Sequence, residues 1–274
     1  MRSVLVALAL ALALSACTGE DPGDDDAPGG PSVSSSETAP TAKRPRAPRQ
    51  GACYRLRLDD ALSPTTARKP VPCRRRHTAQ TFTVGRLDLK LGGRKRRVDA
   101  PAVQRQPARR CPGRLPGFLS GSRDQLRRSM FTAVWFTPTL EDAEAGARWF
   151  RCDVVVLGGG GKLVPLRTGL KGALADPQLR ERFAMCATAA PGTKGFRRVP
   201  CGQRHSWRAV QTVDLPGTKY PPGPRMTARM DGPCTAAAQE YADDPLDYTW
   251  AEERPTRKQW RAGQHYGTCW VPQR

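Results

Sequence analysis

Nine cysteines in 274 residues constrain this chain more than any other feature. Cys17 stands alone near the start. The other eight form two groups of four, at 53, 73, 111 and 152 and again at 186, 201, 234 and 269. Their intervals are 20, 38 and 41 residues in the first group and 15, 33 and 35 in the second. The flanking residues repeat as well. Val71-Pro72-Cys73 followed by His77 returns as Val199-Pro200-Cys201 followed by His205. Pro138-Thr139, Ala145-Gly146, Trp149 and Cys152 return at the same spacing as Pro255-Thr256, Ala262-Gly263, Tyr266 and Cys269. Two motifs in one order on one cysteine frame read as an internal duplication.

Each motif predicts local structure. The stretches Gln80–Leu89 and Trp207–Leu215, just after each histidine, read as strands. Thr139 and Thr256 sit where helix N-caps belong, with Asp142 and Gln259 three residues on, and Gly146 and Gly263 take the helix-stop position. Closing strands are expected at Trp149–Leu157 and Tyr266–Val271. Around Cys234 a helix is expected to begin near Asp231, with Pro233 in its first turn. In the first copy Pro112 and Pro116 interrupt the run, so its helix is expected later, capped by Ser122 with Gln125 three residues on. Short strands and helices without regular β-α-β alternation give an α+β class, as two small duplicated disulfide-bridged domains. Their bounds are 53–157 and 163–274, with the glycine run at 158–162 as a hinge.

Residues 1–17 read as a lipoprotein signal peptide. Val4–Leu14 is an apolar run of 11 residues, too short for the ~20 that a spanning helix needs. Leu14-Ser15-Ala16-Cys17 looks like a lipobox, which makes Cys17 the lipid attachment site. Residues 18–52, rich in Gly, Pro, Ser and Asp, read as a disordered tether that lifts the folded part from the membrane.

The Val-Pro-Cys-x-x-x-His segment with its strand, the mid-domain cysteine and the Pro-Thr…Gly…Cys closing segment together resemble the actinobacterial septum-formation domain. That domain is a cysteine-containing extracytoplasmic module of lipoproteins and membrane proteins. The resemblance covers about 53–157 and again 186–271, and it implies a link to cell division but no reaction and no catalytic residues.

After an export signal, the even set Cys53, Cys73, Cys111, Cys152, Cys186, Cys201, Cys234 and Cys269 reads as four disulfides. The repeat keeps bridges within each copy and leaves three pairings per copy. First-with-second and third-with-fourth is the expected one. The rival is a zinc site built from Cys73, His77 and two further cysteines, but structural zinc uses closer Cys pairs than the 15 residues found here. No cofactor is expected.

His77 and His205 are the one repeated ionisable pair with catalytic potential. No G-x-S-x-G accompanies them, and the acids (Asp59-Asp60, Asp243-Asp244, Glu252-Glu253) lie scattered in turns. A hydrogen-bonded anchor for the following strand is the simpler reading. The glycine run lacks the spacing of a phosphate cradle. Charge remains. With 45 basic against 25 acidic residues the chain carries +20, and 22 bases against 8 acids fall between 53 and 152. Arg74, Arg75 and Arg76 form one cluster, and Arg94, Lys95, Arg96 and Arg97 another. Outside the membrane nucleic acid is not the expected partner; anionic wall polymers or lipid headgroups are, since arginine forks bind them well. The expectation is therefore a membrane-anchored extracytoplasmic lipoprotein, a non-enzymatic binding or scaffolding module of the envelope with unknown protein partners. The alternatives are an envelope hydrolase using His77 or His205, or a purely structural spacer.

Overall fold

The computed structural model describes residues 45–273. The signal peptide, Cys17 and most of the tether lie outside the described residues. The fold is α+β, held by four disulfides: Cys53–Cys73, Cys111–Cys152, Cys186–Cys201 and Cys234–Cys269.

In the first half the elements run β1 (Cys53–Tyr54), α1 (Leu58–Leu62), β2 (Pro70–Val71), β3 (Ala79–Arg86), β4 (Lys90–Leu91) and β5 (Arg94–Lys95). They continue with α2 (Pro101–Leu119), α3 (Arg123–Arg127), β6 (Phe131–Phe136), α4 (Leu140–Glu144), β7 (Trp149–Gly158) and β8 (Lys162–Leu163). The second half has α5 (Pro177–Arg182), β9 (Met185–Ala187), β10 (Arg198–Pro200), β11 (Trp207–Asp214), α6 (Gly223–Tyr241), β12 (Ala251–Glu253), α7 (Arg257–Arg261) and β13 (Tyr266–Pro272). The first sheet has the order β2-β1-β3-β7-β6, with β8 added on β7, and the second has β10-β9-β11-β13-β12. All these pairings are antiparallel. Position for position, the two orders correspond.

The caps form where the sequence places them. Thr139 Oγ1 accepts from the Asp142 N–H, and Thr256 and Gln259 close a capping box. Gly146 and Gly263 end these helices at φ 92° and 95°, a region that L side chains avoid.

The long helices differ from expectation. Helix α2 runs 19 residues straight through Pro107, Pro112 and Pro116, and α6 begins at Gly223, well before Asp231, with Pro233 inside it. Proline removes a helical hydrogen bond, but tertiary burial outweighs that loss here. In α2 the buried residues are Val103, Pro107, Cys111, Leu115 and Leu119; in α6 they are Met226, Met230, Cys234 and Ala238. Both are unbroken stripes at intervals of four. In each stripe one cysteine locks the helix to the sheet strand beneath it, Cys111 to β7 and Cys234 to β13. Ser122 with Gln125 does cap a helix, the short α3 that follows α2.

The glycine run is not a hinge. Strands β7 and β8 pair Leu157 with Leu163 and Gly158 with Lys162, so the glycines form a hairpin turn, with φ of 69° at both Gly160 and Gly161. The halves are also tied together elsewhere. Met130 N–H donates to Phe183 O at 2.9 Å and Met185 N–H to Arg128 O at 2.8 Å. Arg127 pairs with Asp214 and stacks 4.0 Å over Tyr266. One apolar core takes in Phe82, Leu115 and Val154 of the first half with Phe183, Ala209 and Trp270 of the second. The tether stops short of residue 52, because Gly51 N–H donates to Thr81 O and Thr81 N–H to Ala52 O, both at 2.8 Å. No helix among the described residues is long and apolar enough to cross a membrane.

Candidate functional site

His77 lies two residues before the first long strand, β3. Its backbone pairs with Leu166, its side chain is fully buried, and Nδ1–H donates to Arg75 O at 2.8 Å. Nε2 has no hydrogen-bond partner among the described residues. His205 repeats the arrangement, with Nδ1–H donating to Gln203 O at 2.7 Å. Each histidine thus locks the turn that feeds its strand. The ring of His205 also comes close to the Cys186 and Cys201 sulfurs. Those sulfurs are bonded to each other, as Cys73 is to Cys53, and a disulfide offers no thiolate to zinc.

Above His77 lies a basic groove. A depression of about 680 Å³ is lined by Arg55, Arg57, Arg76, Lys162 and the turn Gly160–Gly161. Through Arg76 and Pro165 it continues into a smaller one of about 220 Å³ bordered by Arg167 and Arg182. Six cations therefore share one concave surface, and Asp59 is the one acid among its lining residues. Among the described residues none of the six makes a salt bridge, while eight other bases do. Arg55 is held in place by an Nε–H bond to Arg76 O at 2.8 Å. Asp60, next to Asp59, is already engaged. Burial alone would raise its pKa, but hydrogen bonds from Arg57 N–H and Arg68 hold it below the ordinary carboxylate value.

The two arginine clusters do not meet. Arg74, Arg75 and Arg76 precede the first residue of β3, whereas Arg94, Lys95, Arg96 and Arg97 follow its last. The eight residues of β3, at ~3.3 Å each, run between them. All seven are exposed, but only Arg76 lines the groove. The sequence reading passed over Arg55, Arg57, Lys162, Arg167 and Arg182. One signal was present: Arg55 and Arg57 flank buried Leu56, an alternation that puts both arginines on the open face of an extended segment.

On the same half the sheet buries an ion pair. Arg151 Nη2 lies 3.3 Å from Asp153 Oδ2, and both side chains are enclosed. The angle is too poor for a hydrogen bond. The guanidinium sits 3.7 Å from the Tyr54 ring centre and 4.6 Å from that of Phe136. Thr81 Oγ1–H donates to Asp153 Oδ1 at 2.6 Å. Loss of hydration outweighs these partners and pushes the Asp153 carboxyl up to about 6.

With this geometry in hand, comparison with known proteins is informative. The profile described as Septum formation matches residues 50–269 in one continuous stretch that takes in both halves. The chain belongs to the Septum formation family. Its first matched residue falls where the chain joins the sheet at Gly51, and its last is Cys269, the final disulfide cysteine. The family ties the chain to septum formation. No curated protein and no solved structure matches it.

Proposed function

We propose that the protein is a non-enzymatic binding module of the cell envelope that acts in septum formation. A lipid on Cys17 holds it at the extracytoplasmic face of the membrane, and its basic groove takes phosphate groups. The halves arose by duplication, a reading supported by the corresponding strand orders and disulfides. Six cations on one concave surface, without salt bridges among the described residues, carry the binding proposal, because a guanidinium fork matches phosphate oxygens in pairs. The non-enzymatic part rests on His77. Its ring is buried at the floor of the groove with Nδ1–H committed to the Arg75 carbonyl, and among the described residues no carboxylate hydrogen-bonds it to set it up as a general base.

Phosphate reaches such a site from wall polymers or from lipid headgroups, and one experiment separates the sources. Binding of the full chain is measured to poly(glycerol phosphate) and to vesicles with and without phosphatidylglycerol, at low and at physiological salt. Binding is expected to weaken steeply with salt. Arg55→Gln/Arg76→Gln/Arg182→Gln is expected to weaken it at least about tenfold, since each lost charged hydrogen bond is worth roughly 1.5–3 kcal/mol. Neutralising Arg94, Lys95, Arg96 and Arg97 is expected to leave most of it. No binding to either phosphate source, or loss only in the second variant, would overturn the assignment.

A further inference from the structure

The two faces of the first sheet are covered very unequally. Helix α2, with 19 residues and ~28 Å of length, spans one face; among the described residues α1, with five residues and ~7 Å, is the only helix packed on the other. Opposite partners across β6 and β7 share a face: Thr132 with Val155, Val134 with Asp153, Phe136 with Arg151. Beyond the reach of α1, the outer part of this face stays open. Leu58, Val134 and Leu157 are only half-buried, and Leu62 at the end of α1 is 73% exposed.

The opening is concave. A depression of about 420 Å³ runs between α1 and the β6 edge past Leu62, Val134, Trp135 and Leu157. A second of about 650 Å³ adjoins it at Leu62 and Thr132 and continues round the β6 edge past Ala133 to Pro112 and Leu115 of α2. Such volumes fall within the roughly 300–1,000 Å³ of small-ligand sites. Both share Leu58 with the basic groove, where among the described residues Arg57 and Lys162 have no salt-bridge partner. At the far end the cations are already taken, Arg127 by Asp214 and Arg198 by Glu253. Free positive charge is thus confined to one mouth of an otherwise apolar channel.

We infer that this channel binds an anionic amphiphile, a phosphate-headed molecule with a hydrocarbon tail. The tail lies between α1 and β6, over Leu62, Val134 and Leu157, and the phosphate sits at Arg57 and Lys162. An uncharged apolar partner would leave the cations at the mouth unmatched, and a bare phosphate polymer would leave the apolar channel in water. A ligand with both parts satisfies both. The inference rests on the phosphate-binding reading above and specifies what else the ligand carries.

The test titrates the full chain with dodecyl phosphate, dodecyl maltoside and glycerol phosphate, each below its micelle concentration. A bromine-labelled tail serves as quencher of a tryptophan placed in the channel as Leu62→Trp. Dodecyl phosphate is expected to bind at least about tenfold more tightly than either control, a difference of ~1.4 kcal/mol or more. Quenching is expected in Leu62→Trp beyond that of the wild type's own tryptophans. Leu62→Glu and Arg57→Gln/Lys162→Gln, both at exposed positions, should each remove most of the advantage without changing the circular dichroism spectrum. Equal binding of dodecyl phosphate and dodecyl maltoside, or no added quenching in Leu62→Trp, overturns the inference. A protein strand docking on the β6 edge would give that result. If poly(glycerol phosphate) still binds while the tail adds nothing, the channel assignment fails and the phosphate-binding reading stands. If no phosphate compound binds, both fail.

Discussion

Removing Asp153 alone, as Asp153→Leu, would strand the Arg151 guanidinium inside the sheet. Both side chains are enclosed, at 4% and 0% exposure, so water cannot take over from the lost partner. Breaking a buried pair from one side costs about 3–5 kcal/mol. Removing both charges, as Arg151→Met/Asp153→Leu, avoids that penalty. Methionine still fills the space between Tyr54 and Phe136; the double variant gives up the cation–π contact, about 2 kcal/mol when desolvated, and the acceptor of the buried Thr81 hydroxyl, about 1–3 kcal/mol and lost in the single variant as well. The double variant is therefore expected above the single variant, which carries the stranded charge in addition, measured by urea unfolding with disulfides intact. A pH series adds a second signature. The Asp153 carboxyl is raised from 3.8 to about 6 in the folded chain. Between these values the folded state holds a proton that the unfolded state has released, so this group's contribution falls as pH rises through the window. Two units correspond to about 3 kcal/mol. Asp60, Asp124 and Glu181 have lowered values and act in the opposite sense, losing stability as pH falls. The difference curve between wild type and double variant cancels them and isolates Asp153. A single variant that costs under ~1 kcal/mol, or a flat difference curve, would refute the argument.

Two further outcomes are expected. The chain-entropy relation assigns about 4 kcal/mol to the Cys111–Cys152 bridge, which spans 41 residues, and about 3 kcal/mol to Cys186–Cys201, which spans 15. Paired Cys→Ala variants should follow that order in urea unfolding, and a reversed order would count against loop closure as the source. Cys17→Ser is expected to release the protein from the membrane fraction. If most of it stays at the membrane, the lipid-anchor reading is wrong.

Much of the fold was legible because its signals are local. A threonine three residues before a helical donor, a glycine where φ must be positive and an even set of cysteines act through nearby backbone or covalent chemistry. The caps at Thr139 and Thr256 and the presence of disulfides follow from those signals, whereas which cysteine meets which, 15 to 41 residues apart, is decided by the fold. The length of α2 does not follow from them either. Local propensity stops a helix at Pro112, and only the stripe from Val103 to Leu119, packed on the sheet and bolted through Cys111, shows why it continues.

The candidate site divides in the same way. Sequence alone determined the strong positive charge, the repeated histidines and the α+β class, since each depends on residue type or short spacing. Which cations share a surface depends on strand direction. Strand β3 carries Arg76 and Arg94 to opposite ends, while the β7–β8 hairpin brings Lys162 beside Arg55 and Arg57. The apolar channel depends on coverage, on five residues of α1 facing a sheet that 19 residues of α2 cover on its other side. Neither the run of residues nor their charge records that inequality, because it arises only when distant segments compete for the two faces of one sheet.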